Sequence, residues 1–200
     1  SYFLWVIKKI IFLNFLKQKK KIGKYYIKLS KEIDENIGSK SINLNLFDAG
    51  KNTTKLTRIK KSLNFVKSNF FFVTYGDGLA NINIRNIYKM HLKTGKSVVS
   101  STKINSQYGH LKTNKINNVI KFVEKPILDM PINIGYYLFN KDFFIKNYSK
   151  NKELESEFLK AIVKKKKLVT YLHQGFFFNI DKKIDLVKLK KEKKIFIKDF

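Results

Sequence analysis

The chain contains no cysteine among its 200 residues. A disulfide framework, a thiolate zinc site and a cysteine nucleophile are therefore excluded, and the composition fits a reducing cytoplasm. Only two prolines and nine glycines punctuate the sequence. No stretch has linker composition and no internal repeat is visible, so residues 1–200 read as a single domain. Long apolar runs are also missing. The opening SYFLWVIKKIIFLNFLKQKKK is interrupted by Lys8 and Lys9, whereas a membrane span needs about 20 mostly apolar residues. A signal peptide would carry its positive charge ahead of the apolar run rather than within it. No membrane partner is expected, and Ile7, Ile10, Ile11 and Phe15 at helical spacing predict a core-facing stripe.

Acidic side chains are scarce: 15 Asp and Glu stand against 42 Lys and Arg, for a formal net charge of +27. Such an excess invites a nucleic-acid partner, because cations that neutralise phosphates release counterions. Arginine, however, is nearly absent. All but Arg58 and Arg85 of the basic residues are lysine, while the planar arginine fork is what reads base edges and phosphates most specifically. The charge reads as diffuse lysine background, which argues against nucleic acid as the partner. What is abundant is core-forming material, 44% hydrophobic and 14% aromatic residues, enough for a sizeable globular core.

Patterning gives the elements. Ile42, Leu44 and Leu46 alternate with asparagines and predict a half-buried strand, after a polar surface segment over residues 21–40. Thr57 to Val66 reads as a helix, and Phe70 to Tyr75 as a strand covered on both faces. Beyond GDG, Ile84, Ile87, Tyr88 and His91 fall at i, i+3, i+4 and i+7, with Gly95 placed to end a helix. A strand from Val98 to Thr102 then completes a β-α-β unit with a parallel crossover. Strands are also predicted at 119–124, 134–140 and near 168–180, with helices over 153–166 and from Lys182 onward.

Four places can carry chemistry, each with a plainer structural reading beside it. Asp77, between Gly76 and Gly78 at the carboxyl end of a buried strand, lies where open α/β sheets bind ligands and is a hard oxygen donor suited to Mg²⁺; an Asp-Gly pair also simply makes a turn. Lys125, in Glu124-Lys125-Pro126, can offer an ammonium to a phosphate. It is also one surface lysine of many, held extended by the proline after it. Asn133 can hydrogen-bond sugar hydroxyls and Gly135 can admit a close backbone approach, or the pair marks a strand with a bulge. Asp181, following Phe176, Phe177 and Phe178, can supply a second metal carboxylate or cap the final helix. His91, His110 and His173 are too scattered for a metal cluster or triad.

In order, these segments resemble the sugar-1-phosphate nucleotidylyltransferases, and most closely the glucose-1-phosphate cytidylyltransferases. SYFLWVIKKIIFLNF is similar to that family's GYKGYVIKEYF, LFDAG to VDTG, and FVTYGDGLANINIRNIYKMH to FTYGDGVADIDIKALIDFH. SQYGHLK resembles an RFG-containing strand, FVEKP resembles FQEKP, INIGYYLFN resembles INGGFFVLN, and GFFFNID resembles GFWQPMD. The resemblance implies an α/β fold, a Rossmann-like mixed and mainly parallel sheet with helices on both faces. It implies attack by a sugar 1-phosphate on the α-phosphorus of CTP or another nucleoside triphosphate, with pyrophosphate leaving. Asp77 and Asp181 would hold Mg²⁺, and Lys125 would hold the sugar phosphate. Gly76, Glu124, Asn133 and Gly135 would bind substrate, as would Glu157, which in ELESEFL matches an acidic residue of the family's WEQEPL. Homo-oligomeric assembly is implied by the resemblance alone.

The sequence departs from that family in two segments. The opening strand and GGxGTR loop that cradle the triphosphate, and the PKP lysine after them, have no counterpart here, so the chain reads as an amino-terminally truncated copy. Its expected turnover alone is small, and β-sheet exposed by the missing strand would weaken it. Asn52, Thr53, Thr54 and Lys55 stand where the family has TGGR, and the threonines would crowd a nucleotide. Asn83 replaces an acidic residue of ADIDI and reads better as a helix cap. Three alternatives stay beside this reading: a nucleotidylyltransferase for another base or sugar, a non-catalytic sugar-phosphate-binding remnant, and a basic nucleic-acid-binding protein.

Overall fold

The computed structural model describes residues 49–182 throughout, the strand segments Phe3–Val6, Tyr26–Leu29 and Ile42–Asn45, and residues 184, 185, 187 and 189. The continuous apolar run FFFVTY forms β4, Phe70–Tyr75, at the centre of the hydrophobic core. Its neighbours in a five-stranded sheet are β1 (Phe3–Val6) on one side and β9 (Ile132–Asn140) on the other, followed by β6 (Ser97–Thr102) and β10 (Leu168–Leu172). β1 runs parallel to β4 and β10 parallel to β6, while β9 is antiparallel to both strands it touches. The sheet is thus mixed, with half of its pairings parallel. β4 and β6 run in the same direction, as the β-α-β order predicts, but they are not neighbours: β9 lies between them. The long-range pairing of β9, invisible to local periodicity, makes the sheet less parallel than expected.

Alternation along β4 and β9 sends side chains to two faces. Phe71, Val73, Tyr137 and Phe139 join α1 (Lys55–Ser62), α3 (Lys141–Asn147) and the π-helical turn Leu154–Leu159 that runs into α4 (Lys160–Lys164). Phe72 and Leu138 face the other way, against Ile87 of α2, Ile84–Thr94. Helices therefore cover both faces, as expected. Caps explain where they begin and end. Thr54, Asn83 and Asn140 each accept a backbone N–H from the first turn of α1, α2 and α3, and Gly95 closes α2 at φ +63°. Asn83 is the cap read from sequence. Thr53 and Thr54 also have local tasks: Thr53 donates to the Gly50 carbonyl, and Thr54 caps α1.

Three two-stranded pieces complete the described fold. β2 (Tyr26–Leu29) pairs with β3 (Ile42–Asn45), β5 (Gly78–Ala80) with β11 (Phe177–Asn179), and β7 (His110–Thr113) with β8 (Val119–Val123). The first of these places a strand within the segment read as polar surface. Phe3–Val6 is a strand, and the predicted stripe Ile7, Ile10, Ile11 and Phe15 lies outside the described residues. Ile184, Asp185, Val187 and Leu189 are helical, in line with the reading of the tail. No helix among the described residues is long and apolar enough to cross a membrane.

Candidate functional site

The carboxyl end of β4 runs directly into the site. Tyr75 is its last residue, exposed Gly76 and half-buried Asp77 form a turn, and Gly78 opens β5. β5 pairs antiparallel with β11 in the register Gly78↔Asn179. The ladder is extended by Ile180, whose N–H donates to the Asp77 carbonyl at 2.8 Å. Asp77 and Asp181 are thereby brought to one end of a short ladder, although they lie over a hundred positions apart in sequence. Asp181 is exposed and its Oδ2 accepts from Asn179 Nδ2 at 2.7 Å. The backbone N–H groups of Asp181 and Lys182 donate to Asp185 Oδ2 at 3.1 and 2.8 Å. Among the described residues no group of three or more His, Asp or Glu gathers as a metal cage. Two carboxylates fit Mg²⁺ nonetheless, because that ion keeps several waters or phosphate oxygens and needs few protein ligands.

β9 supplies the adjoining wall. Its pairing with β6 slips between Val99 and Ser101, and Gly135 sits at this irregularity with φ +79°. The bulge read from sequence is present. Gly135 must also be small, because a Cβ there would lie 2.6 Å from Cδ2 of Tyr75. The Tyr75 ring therefore covers Gly135, and Tyr136 OH donates to the Gly78 carbonyl at 3.0 Å, tying the bulge to the Asp77 turn. Asn133 is fixed at both ends of its amide: Oδ1 accepts from Gly135 N at 2.9 Å and Nδ2 donates to Tyr137 OH at 2.6 Å.

From Asn133 the polar network continues across the sheet face. Tyr137 OH and Tyr75 OH are 2.8 Å apart, Tyr75 OH donates to Glu155, and Lys55 Nζ both pairs with Glu155 and lies 4.8 Å from the Tyr75 ring centroid. Glu155 is the carboxylate that the structure brings to the Asn133 wall. Glu157, the residue expected there, is turned back instead: Oε2 accepts the Glu153 N–H at 2.9 Å and its carboxylate pairs with Lys152 at 2.6 Å. Two residues apart on a helix, the pair must point to opposite sides, so only one can face the site. Lys55, counted in the sequence as a departure from TGGR, was missed by sequence reasoning along with Glu155, Tyr75 and Tyr137 of this network.

Charge and burial follow from these contacts. Burial pushes Glu155 toward the neutral acid, but hydrogen bonds from Lys55 and Tyr75 outweigh it and hold the carboxyl below its ordinary value. Burial raises the Tyr75 phenol far above its ordinary value, helped by the neighbouring Tyr137 and the hydrogen bond to Glu155. Burial likewise raises Tyr136 and Tyr137. The folded phenols therefore keep protons that unfolded tyrosines release above about pH 10. Stability should be fully present below that pH and decline as pH rises beyond it. Denaturation midpoints measured between pH 8 and 11 should show this fall, and Tyr75→Phe should flatten it.

Lys125 is apart from this network. It follows β8 at the base of the β7–β8 excursion, with its ammonium 3.8 Å from Glu124 and both side chains 61% exposed. Its backbone is not extended, as the following proline would favour, but left-handed at φ +46°. The turn is pinned on the far side of Pro126, whose carbonyl accepts from Ser106 N at 2.8 Å, and by Leu128 N donating to Ile104 O at 2.9 Å. Such a conformation in a non-glycine residue persists only where its surroundings enforce it. Asp77, Asp181, Asn133 and Gly135 thus share one end of the sheet, while Lys125 and Glu124 lie exposed on the β7–β8 excursion and pair with each other.

Comparison with known proteins identifies the family. The family model described as nucleotidyl transferase matches residues 7–181. A probable glucose-1-phosphate cytidylyltransferase of Bacillus subtilis (strain 168) is 32% identical over 151 residues, 74% of this chain and 59% of that protein. The glucose-1-phosphate cytidylyltransferase of Salmonella typhimurium is 29% identical over 150 residues, covering 74% and 58% respectively. The chain therefore spans about three fifths of the length of these curated relatives. The crystal structure of HddC from Yersinia pseudotuberculosis superposes with a TM-score of 0.61 at 17% identity, covering 96% of this chain and 77% of that one. A second structure of HddC, complexed with GMP-PN, gives 0.52 at 19% identity over 72% and 64%. These structural likenesses concern the fold.

Proposed function

Because the chain belongs to the nucleotidyl transferase family, we propose that it carries the sugar-phosphate side and the metal carboxylates of an enzyme that transfers a cytidylyl group from CTP to glucose 1-phosphate. The observation that carries this reading is the approach of Asp77 to Asp181 across the β5–β11 ladder, next to the wall built by Asn133, Gly135 and Glu155.

In the proposed reaction an oxygen of glucose 1-phosphate forms a bond to the α-phosphorus of CTP. The bond from that phosphorus to the bridging oxygen breaks, and pyrophosphate leaves with the electron pair. The attacking phosphate is already ionised near neutral pH, so no strong base is required and rate depends on alignment and charge neutralisation. Asp77 and Asp181 would hold Mg²⁺, which neutralises triphosphate charge when bound. Lys125 would meet the sugar phosphate from the hairpin side, with Gly76 and Glu124 bordering the same opening. Asn133 presents a preorganised amide, Gly135 holds the bulge that aims it, and Glu155 supplies an ionised acceptor for sugar hydroxyls. The relatives named as glucose-1-phosphate cytidylyltransferases support the choice of CTP and glucose 1-phosphate.

Incubation with CTP, glucose 1-phosphate and Mg²⁺, followed by pyrophosphate detection, tests the reading. Slow release that depends on both substrates is expected, and its absence together with failure to bind any sugar 1-phosphate would overturn the proposal. Calorimetry should separate the two acidic residues: Glu155→Gln weakens glucose 1-phosphate binding by about tenfold or more, as the loss of a charged acceptor implies. Glu157→Gln, which removes a charge from a helix start, should leave binding within about twofold.

A further inference from the structure

A cleft of about 240 Å³ opens at the end of the sheet opposite Asp77, lined by His91, Gly95, Lys96, Ser97, Asn140, Phe143 and Lys167. Asn140 pairs with Phe70, the first residue of β4, whereas Asp77 lies two residues beyond that strand's last. At about 3.3 Å per strand residue the two places are roughly 20 Å apart. We propose that this cleft is a second binding site, built for the phosphoryl group of a small anion.

Its chemistry is cationic and incompletely satisfied. The lining includes two lysines and a histidine and no carboxylate. Neither Lys96 nor Lys167 has an acidic partner among the described residues, in a protein where Lys55, Lys125 and Lys152 do. Both lysines are anchored by their backbones: the Lys167 carbonyl accepts from Ser97 N at 3.0 Å, and the Lys96 carbonyl lies 2.7 Å from His91 Nδ1. A carbonyl only accepts, so Nδ1 carries a proton, and Nε2, left for a ligand, donates to an oxyanion as imidazolium or accepts from a protonated phosphate oxygen. Ser97 is 3% exposed and its hydroxyl has no hydrogen-bond partner. A buried hydroxyl left unmatched is costly, and an oxyanion in the cleft would satisfy it once the Ser97 side chain turns toward it. A tetrahedral phosphoryl group, with oxygens on several sides, can meet the two ammonium groups, the hydroxyl and the imidazole together, which a planar carboxylate with two oxygens cannot.

The test is a titration of the isotope-labelled chain with inorganic phosphate at constant ionic strength, following the His91 ring by NMR, with acetate as the comparison anion. Saturable shifts are expected with phosphate, with acetate at least about tenfold weaker. The double substitution of Lys96→Ala and Lys167→Ala should weaken phosphate at least about tenfold, reflecting lost charge-assisted hydrogen bonds. Ser97→Ala should weaken it severalfold while keeping the fold, since it removes only an unpartnered hydroxyl. Asp77→Asn should leave the titration unchanged. Absence of saturable His91 shifts, indifference to the lysine substitutions, equal response to acetate, or loss of the shifts in Asp77→Asn would each overturn the proposal.

Discussion

Replacing Asp77 by asparagine is expected to abolish nucleotidyl transfer, lowering single-turnover pyrophosphate release by about 10³-fold or more. The size follows from its proposed place beside the reacting phosphates, where charge stabilisation through a held cation contributes several kcal/mol and each 1.36 kcal/mol is about a factor of ten. Mn²⁺, followed by electron paramagnetic resonance, gives a readout independent of turnover: wild-type chain should deplete the free-ion signal, and Asp77→Asn and Asp181→Asn should each restore most of it. The hydrogen bond that joins the Asp77 turn to β11 uses the backbone carbonyl and is kept in Asp77→Asn, and a denaturation midpoint measured beside the resonance signal separates loss of ion binding from loss of fold. An Asp77→Asn chain that retained both Mn²⁺ binding and turnover, with an unchanged denaturation midpoint, would remove Asp77 from the site.

The contrast between Asp77 and the acidic pair at 155 and 157 shows what a sequence can and cannot reveal here. β4, the turn after it and α2 are dictated locally, by an unbroken apolar run, a GDG turn, an i, i+3, i+4 stripe and an asparagine and a glycine at the two ends. Asp77 could be located because those signals converge on it. Its position at the same end of the ladder as Asp181 depends on the β5–β11 register, and the mixed sheet depends on β9 entering between β4 and β6. Both are contacts over long sequence separations, to which periodicity is blind. Glu155 and Glu157 are equivalent in a string of letters. The π-helical turn sets one against Tyr75 and Lys55 and returns the other to the Glu153 N–H. Lys125 could be picked out as a residue, but its left-handed backbone could not, since the proline favours another conformation and only the pinned turn around it overrides that preference.

Gly135→Ala should be among the most damaging single-methyl changes in the molecule, destabilising it by about 2–5 kcal/mol. Two separate terms contribute. An L-residue held in the left-handed region at φ +79° costs about 1–2 kcal/mol, and forcing a methyl into an occupied space typically costs a further 1–3 kcal/mol. The space is occupied by the Tyr75 ring, with Cδ2 at 2.6 Å and Cγ at 3.0 Å from the added carbon. Tyr75 cannot yield freely, because its hydroxyl joins Tyr137 and Glu155. Its displacement should therefore also release Glu155 and weaken glucose 1-phosphate binding. The two terms separate in a double-mutant cycle with Tyr75→Leu, which removes the ring and leaves the backbone conformation in place. In that background Gly135→Ala should lose the overpacking part of its cost and keep the left-handed part. If the two substitutions were instead additive in denaturation midpoints, the ring of Tyr75 would not be what requires glycine at this position, and the link from the β9 bulge to Glu155 would fail with it.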